Sequence, residues 1–159
     1  MILIGTDCGV INNSYCVIDT TTLTILEVGD VVSKHKLLQD KLLNIDNKYG
    51  ELFNKYKPEV FVYEEPCFIG RGVNGTNISQ ALGVIKLNAA KVGATIISYS
   101  ATHIKKQVTG DGKADKELVA SNAANYFKVD KSIFLSDHSS DSAAIGMCYL
   151  IEQGVTNHG

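Results

Sequence analysis

The chain opens on an apolar run, "MILIG", that stops at Asp7 and a turn, "CGVINN". "SYCVID" and "LTILEVGDVV" follow, each bounded by turn formers, and the three segments read as strands of an antiparallel meander. The period then changes. Across 34–57, Leu38, Leu42, Ile45, Tyr49, Leu52 and Tyr56 recur every three or four residues, which predicts an amphipathic helix closed by Pro58. "EVFVYEE" predicts a fourth strand, apolar until its two final acids, and Pro66 ends it. "CFIGRGVNGTN" predicts a loop, 78–92 a second helix and "ATIISYS" a fifth strand. Helices are expected at about 101–108 and 114–127, with "TGDGK" between them, and a buried helix in the closing "SDHSSDSAAIGMCYLIEQG". Strands first, then strands alternating with helices, predict an α/β fold with a five-stranded mixed sheet flanked by helices.

Three of these elements carry acids where the pattern calls for none. Asp7 ends the first strand, Glu64 and Glu65 end the fourth, and Asp141 stands near the start of the last helix. Residues three and four apart share a helix face, so Asp141 heads the apolar stripe that continues through Ile145 and Cys148. Taken singly, the acids have ordinary readings. Asp7 can be a turn residue, Glu64 and Glu65 surface acids, and Asp137 a helix N-cap or a favourable first-turn charge. No cap explains Asp141. In α/β sheets functional groups collect where strands end, and paired first and fourth strands bring Asp7 to a glutamate. Crowded carboxylates repel, and a divalent cation relieves the repulsion; carboxylate and water ligands suit magnesium or manganese.

Composition narrows the classes. The chain has 159 residues, 45% hydrophobic and 20% charged, which excludes a disordered chain and fits one domain spanning 1–159. No apolar run approaches the ~20 residues of a membrane span, and no basic leader precedes the first strand. A soluble, cytoplasmic protein with no membrane partner is expected. A net charge of −2 argues against a non-specific nucleic-acid coat, but not against an enzyme whose basic residues share one face. Cys8, Cys16, Cys67 and Cys148 form no close pair, so structural zinc is disfavoured and buried reduced thiols are expected. Arg71, inside the glycine-rich loop, is the one arginine among fifteen basic residues.

"ILIGTDCG", "FVYEEP" and "DHSSDSAAIG", in that order and at these separations, resemble the RuvC family of Holliday-junction resolvases, within the RNase H-like superfamily. The resemblance spans nearly the whole chain and includes "HIKKQVTGDGKADKELV". "GTDCG" alone is weak, because actin-like kinases begin similarly; those need two large lobes around a nucleotide, and this chain has room for one.

The resemblance implies an RNase H-like fold and a metal-dependent endonuclease that resolves four-way junctions and other branched DNA by paired nicks leaving 5′ phosphates. It makes Asp7, Glu64, His138 and Asp141 the catalytic metal ligands, with Glu65 and Asp137 in reserve. His138 falls where some members carry an acid and others a histidine. Two magnesium ions per site are implied, with manganese able to substitute. Lys105 and Lys116 fall on lysines near the scissile phosphate, Lys116 counting among the catalytic residues, and Lys106 and Lys113 are close enough to share DNA contacts. Phe68 lies one residue from a family aromatic that stacks on a junction base, and Arg71 could clamp a phosphate. Gly70, Gly72 and Gly75 would let backbone approach DNA. The loop's composition departs from the family pattern. The family acts as homodimers; accessory branch-migration proteins are left open, as is a phage-encoded origin, which would place the protein in a host cytoplasm. Two rival readings are a nuclease trimming ribosomal RNA precursors and a non-catalytic junction-binding module.

Overall fold

The computed structural model describes residues 1–67 and 73–155, the side chains of 73 and 74 excepted. In chain order the elements are β1 (Ile2–Asp7), β2 (Asn12–Asp19), β3 (Thr24–Val32), α1 (Leu38–Tyr56), β4 (Val60–Glu64), α2 (Val73–Lys91), β5 (Thr95–Tyr99), α3 (Ala101–Thr109), α4 (Lys116–Phe127) and α5 (Asp137–Glu152), with one 3₁₀ turn at Lys131–Ile133. The strands form one mixed sheet in the order β3-β2-β1-β4-β5. β1 pairs antiparallel with β2 and parallel with β4, so it is the middle strand.

Period-two alternation divides the core into two layers. Ile4, Val17, Phe61 and Tyr63 point towards α1 and α2, where Tyr49, Phe53 and Ile85 are buried. A chain of rings runs through this layer, from Tyr15 to Tyr49 (centroids 6.3 Å apart), Phe53, Phe61 and Tyr63. Burying each such side chain contributes about 1.5–3 kcal/mol. Leu3, Cys16, Ile18 and Val62 point the other way, towards α3, α4 and α5.

α5 lies hard against β1 on that second face, and two glycines make the approach possible. A Cβ on Gly5 would collide with the Ser142 carbonyl oxygen and stand 3.1 Å from Gly146 N. A Cβ on Gly146 would run into Ile18 Cδ1. Ala143 and Ala144 complete the small-residue surface that α5 offers the sheet. Backbone contact of this closeness fixes the height and rotation of the helix, and with them the direction of everything on its first two turns.

The expected elements are all present, with five differences. β2 begins at Asn12, inside the expected turn "CGVINN", because Asn12 and Asn13 pair with Val32 and Val31 of β3. α2 begins at Val73, so Gly75 lies in a helix and not in a loop; packing of the apolar residues further along carries the helix back through a stretch whose Gly and Asn read as loop formers. α4 starts at Lys116 because Asp115 caps it, accepting from Leu118 N at 2.8 Å. α1 starts at Leu38, four residues late, because nothing at 34–37 caps it. The cysteines are free, but Cys67 is exposed, contrary to the buried thiols expected. No helix among the described residues is long and apolar enough to cross a membrane.

Candidate active site

The parallel register sets Thr6 opposite Tyr63, so the next step along the two central strands carries Asp7 and Glu64. Both share a face with Leu3 and Val62, the face covered by α5. Glu65 takes the opposite face. It is exposed, accepts from Ser98 Oγ at 2.7 Å, and lines a separate hollow with Tyr63 and Lys86.

The helix supplies the rest. Ser136 caps α5 in a capping box with Ser139, each side chain meeting the other's backbone N–H. Asp137 is therefore a first-turn acid, not the cap, and it lies outside the cluster formed by its neighbours. His138 follows, and its carbonyl accepts from Ser14 Oγ. Ser14 faces Asp7 across the β1–β2 ladder, so the helix's first turn is fastened beside that carboxylate. His138 Nδ1 lies 2.8 Å from Asp7 Oδ2. Asp141, one turn on, completes the group: ligand atoms of Asp7, His138 and Asp141 all lie within 4.8 Å of one another.

These groups line a cleft of about 320 Å³ together with Glu64, Lys105 and Lys116, over an apolar floor that includes Ile104 and Val119. Lys116 Nζ is 3.5 Å from Asp141 Oδ2. Burial pushes the Glu64 carboxyl up to about 7, and the charges of Asp7 and Asp141 add to the rise against the pull of Lys105 and Lys116. Asp141 is also raised, by burial first, with Lys116 opposing and Asp7 reinforcing. Burial and crowding of like charges in the cleft are the cause, and a bound cation would relieve the crowding. Three carboxylates and one imidazole within reach of one cleft fit a hard divalent ion.

Lys106 and Lys113 are exposed and do not line the cleft. Phe68, Arg71, Gly70 and Gly72 lie outside the described residues. Sequence reasoning passed over Gly5, Gly146 and Ser14, which place the acids. Their signal was faint: a glycine inside a strand two residues before Asp7, matched by one inside a buried helix.

A sheet of this order, with acids on its two central strands and on the helix packed across them, belongs to the RNase H-like class. The model of the family described as crossover junction endodeoxyribonuclease RuvC matches residues 3–149. The RuvC endonuclease of Treponema denticola is 32% identical over 89% of this chain and 81% of its own length. That of Prochlorococcus marinus is 31% identical over 97% and 99%. The structure is similar to that of Thermus thermophilus RuvC in complex with a Holliday junction substrate, with a TM-score of 0.84 at 20% identity over 98% of both chains. It is similar also to the yeast mitochondrial Holliday junction resolvase Ydc2, with a TM-score of 0.68 at 15% identity over 98% of this chain and 80% of that one. The chain belongs to the RuvC family of crossover junction endodeoxyribonucleases.

Proposed function

We propose that this chain is a metal-dependent endonuclease that resolves four-way DNA junctions, working as a homodimer of single 1–159 domains in the cytoplasm. The observation that carries the reading is the cluster of Asp7, His138 and Asp141, with Glu64 raised to about 7 beside it, in a chain of this family. Magnesium held by Asp7, Glu64, His138 and Asp141 would supply an activated water and offset charge on the phosphate.

The protein's own groups prepare for that chemistry. Asp7 and Glu64 are held rigidly on adjacent strands, so their separation does not depend on a loop. An Nδ1–H donated from His138 to Asp7 would orient the ring and leave the Nε2 lone pair for a cation. An imidazole in the set shifts preference towards manganese relative to four carboxylates. Lys116, half-exposed at the cleft mouth beside Asp141, and Lys105, near Glu64, offer two positive charges where a phosphate would enter. A two-fold dimer presents two such clefts to a two-fold junction, one for each continuous strand.

Synthetic four-way junctions incubated with magnesium, with manganese and with EDTA test the reading, beside linear duplex and structured RNA. Paired nicks in the junction, lost in EDTA, are expected. Asp7→Asn and Asp141→Asn should lose several kcal/mol of transition-state stabilisation, roughly a thousand-fold in rate, while gel shifts show junction binding intact. Cleavage of RNA in place of junctions, or full cutting by either variant, would refute it.

A further inference from the structure

His138 borders two hollows. Beyond lining the carboxylate cleft, it lines a second cavity of about 390 Å³, set between the turn joining β1 to β2 and the N-terminal parts of α1 and α2. The two spaces are one side chain apart, so a strand whose phosphate lay among the carboxylates would have its next residue at this cavity's mouth.

The lining is chemically mixed in a particular way. Val10 and Ile78 present apolar surface, Asn12 and Asn77 present carboxamides, and Lys41 presents an ammonium group. Neither carboxamide nor the ammonium group has a side-chain partner among the described residues. The wall is also preformed. Gly9 N donates to Oδ1 of Asn13 at 3.1 Å, Asn13 is only 1% exposed, and a Cβ on Gly9 would collide with the Asn12 carbonyl. A carboxamide offers a donor and an acceptor side by side, which matches the edge of a base; apolar branched side chains pack on its flat face; an ammonium group pairs with phosphate. At about 390 Å³ the space has room for a group the size of one nucleotide. No carboxylate is among the described lining residues, which does not suit a hard cation.

We propose that this cavity takes the nucleotide next to the scissile phosphate, and that Asn77, assisted by Asn12, reads its base edge and sets the cut-site preference. The assignment rests on the reading that the chain cuts four-way DNA. Asn77 is the principal reader because it stands half-buried on α2, whereas Asn12 is exposed at the start of β2.

The test compares cutting rates on junctions whose bases flanking the cut are varied one at a time. Wild type should prefer one base on one side. In Asn77→Ala the ratio of best to worst base should fall roughly ten-fold or more, and Asn77→Gln should restore part of it or move the preference to another base. Binding in EDTA supplies a second measurement that needs no cutting. 2-Aminopurine placed beside the cut should change fluorescence on binding wild type, and change less on binding Ile78→Ala at equal affinity. Equal ratios in wild type and Asn77→Ala, wild-type cutting with no base preference, or a fluorescence change spread evenly over all positions would each overturn the assignment. A wild-type protein that neither binds nor cuts junctions would remove the nuclease reading, and this one with it.

Discussion

Glu27 and Glu64 sit on strands of one sheet, and burial pushes both towards the neutral form. They end on opposite sides of the ordinary carboxylate range. At Glu27 that push is outweighed: Lys55 Nζ donates at 2.9 Å, Tyr56 Oη at 2.8 Å and Tyr15 Oη at 2.8 Å, and the carboxyl falls to about 2. At Glu64 the push is reinforced by Asp7 and Asp141, and the carboxyl climbs to about 7. Glu27 is complete as it stands, a structural acid with every oxygen satisfied. Glu64 is incomplete in that sense: Asp7 and Asp141 crowd it, and Lys105 and Lys116 offset them only in part. The same contrast separates the two layers of the core, one filled with interlocking aromatic rings, the other with glycine and alanine that let a helix bring acids to acids.

The largest expected effect comes from removing the charge at the incomplete site. Glu64→Gln should reduce junction cutting by roughly a thousand-fold, yet it should make the metal-free protein more stable. The sign follows from linkage. A carboxyl whose folded value lies above its usual 4.5 stabilises the fold in full below that pH, and the contribution is lost as pH rises through about 7. In EDTA at pH 8 the variant should therefore exceed wild type by about 2 kcal/mol after allowance for partial exposure, with the gap closing by pH 4.5 and magnesium favouring wild type alone. Chemical denaturation across that pH range measures it; a gap independent of pH would mean that the acids do not interact.

Gly5→Ala attacks the layer that brings the acids together. The added Cβ meets backbone, so strand and helix must part, at a cost of about 1–3 kcal/mol. Cutting should fall together with stability, because the same displacement moves Asp141 and His138 away from Asp7. Denaturant midpoints and cleavage rates measured on one preparation decide this, and a stable, fully active variant would show that close approach is not what places the site.

The smallest effect is expected at the complete acid. Glu27→Gln should lower stability by about 1–2 kcal/mol at neutral pH through weakened hydrogen bonds and leave cutting unchanged. Its contribution disappears only as pH falls through about 2, so between pH 4.5 and 8 the loss should be flat, the reverse of the slope at Glu64.

Much of this was legible in the sequence because it rests on period. Alternation on β4 separates Glu64 from Glu65, and helical spacing puts His138 and Asp141 on one face; both statements survive in three dimensions. What escaped depends on contacts between distant segments. The capping box of α5 uses Ser136 and Ser139 in place of the usual glutamate at its third position, and it decides between the two readings of Asp137 in favour of the first-turn charge. The hydrogen bond from Ser14 to the His138 carbonyl joins residues 124 apart in sequence, and no local pattern announces it. Gly5 and Gly146 matter through the absence of an atom at one crossing of helix and strand. The first turn of α2 was missed because Gly75 and Asn77 favour loops in isolation.

The central position of β1 has one further consequence, for motion. Asp7 and Glu64 hang on adjacent strands, one step past the last pair of their common ladder, and each is paired with a strand on its other side. Amides along Gly5, Thr6 and Tyr63 should exchange with solvent as slowly as any in the molecule, by whole-domain opening. His138 and Asp141 ride instead on the first turns of a helix, held there by the Ser14 hydroxyl and the Ser136 cap. Amides of the first turn of α5 should therefore exchange faster than those of Gly5, Thr6 and Tyr63, by a local opening that leaves the strands paired.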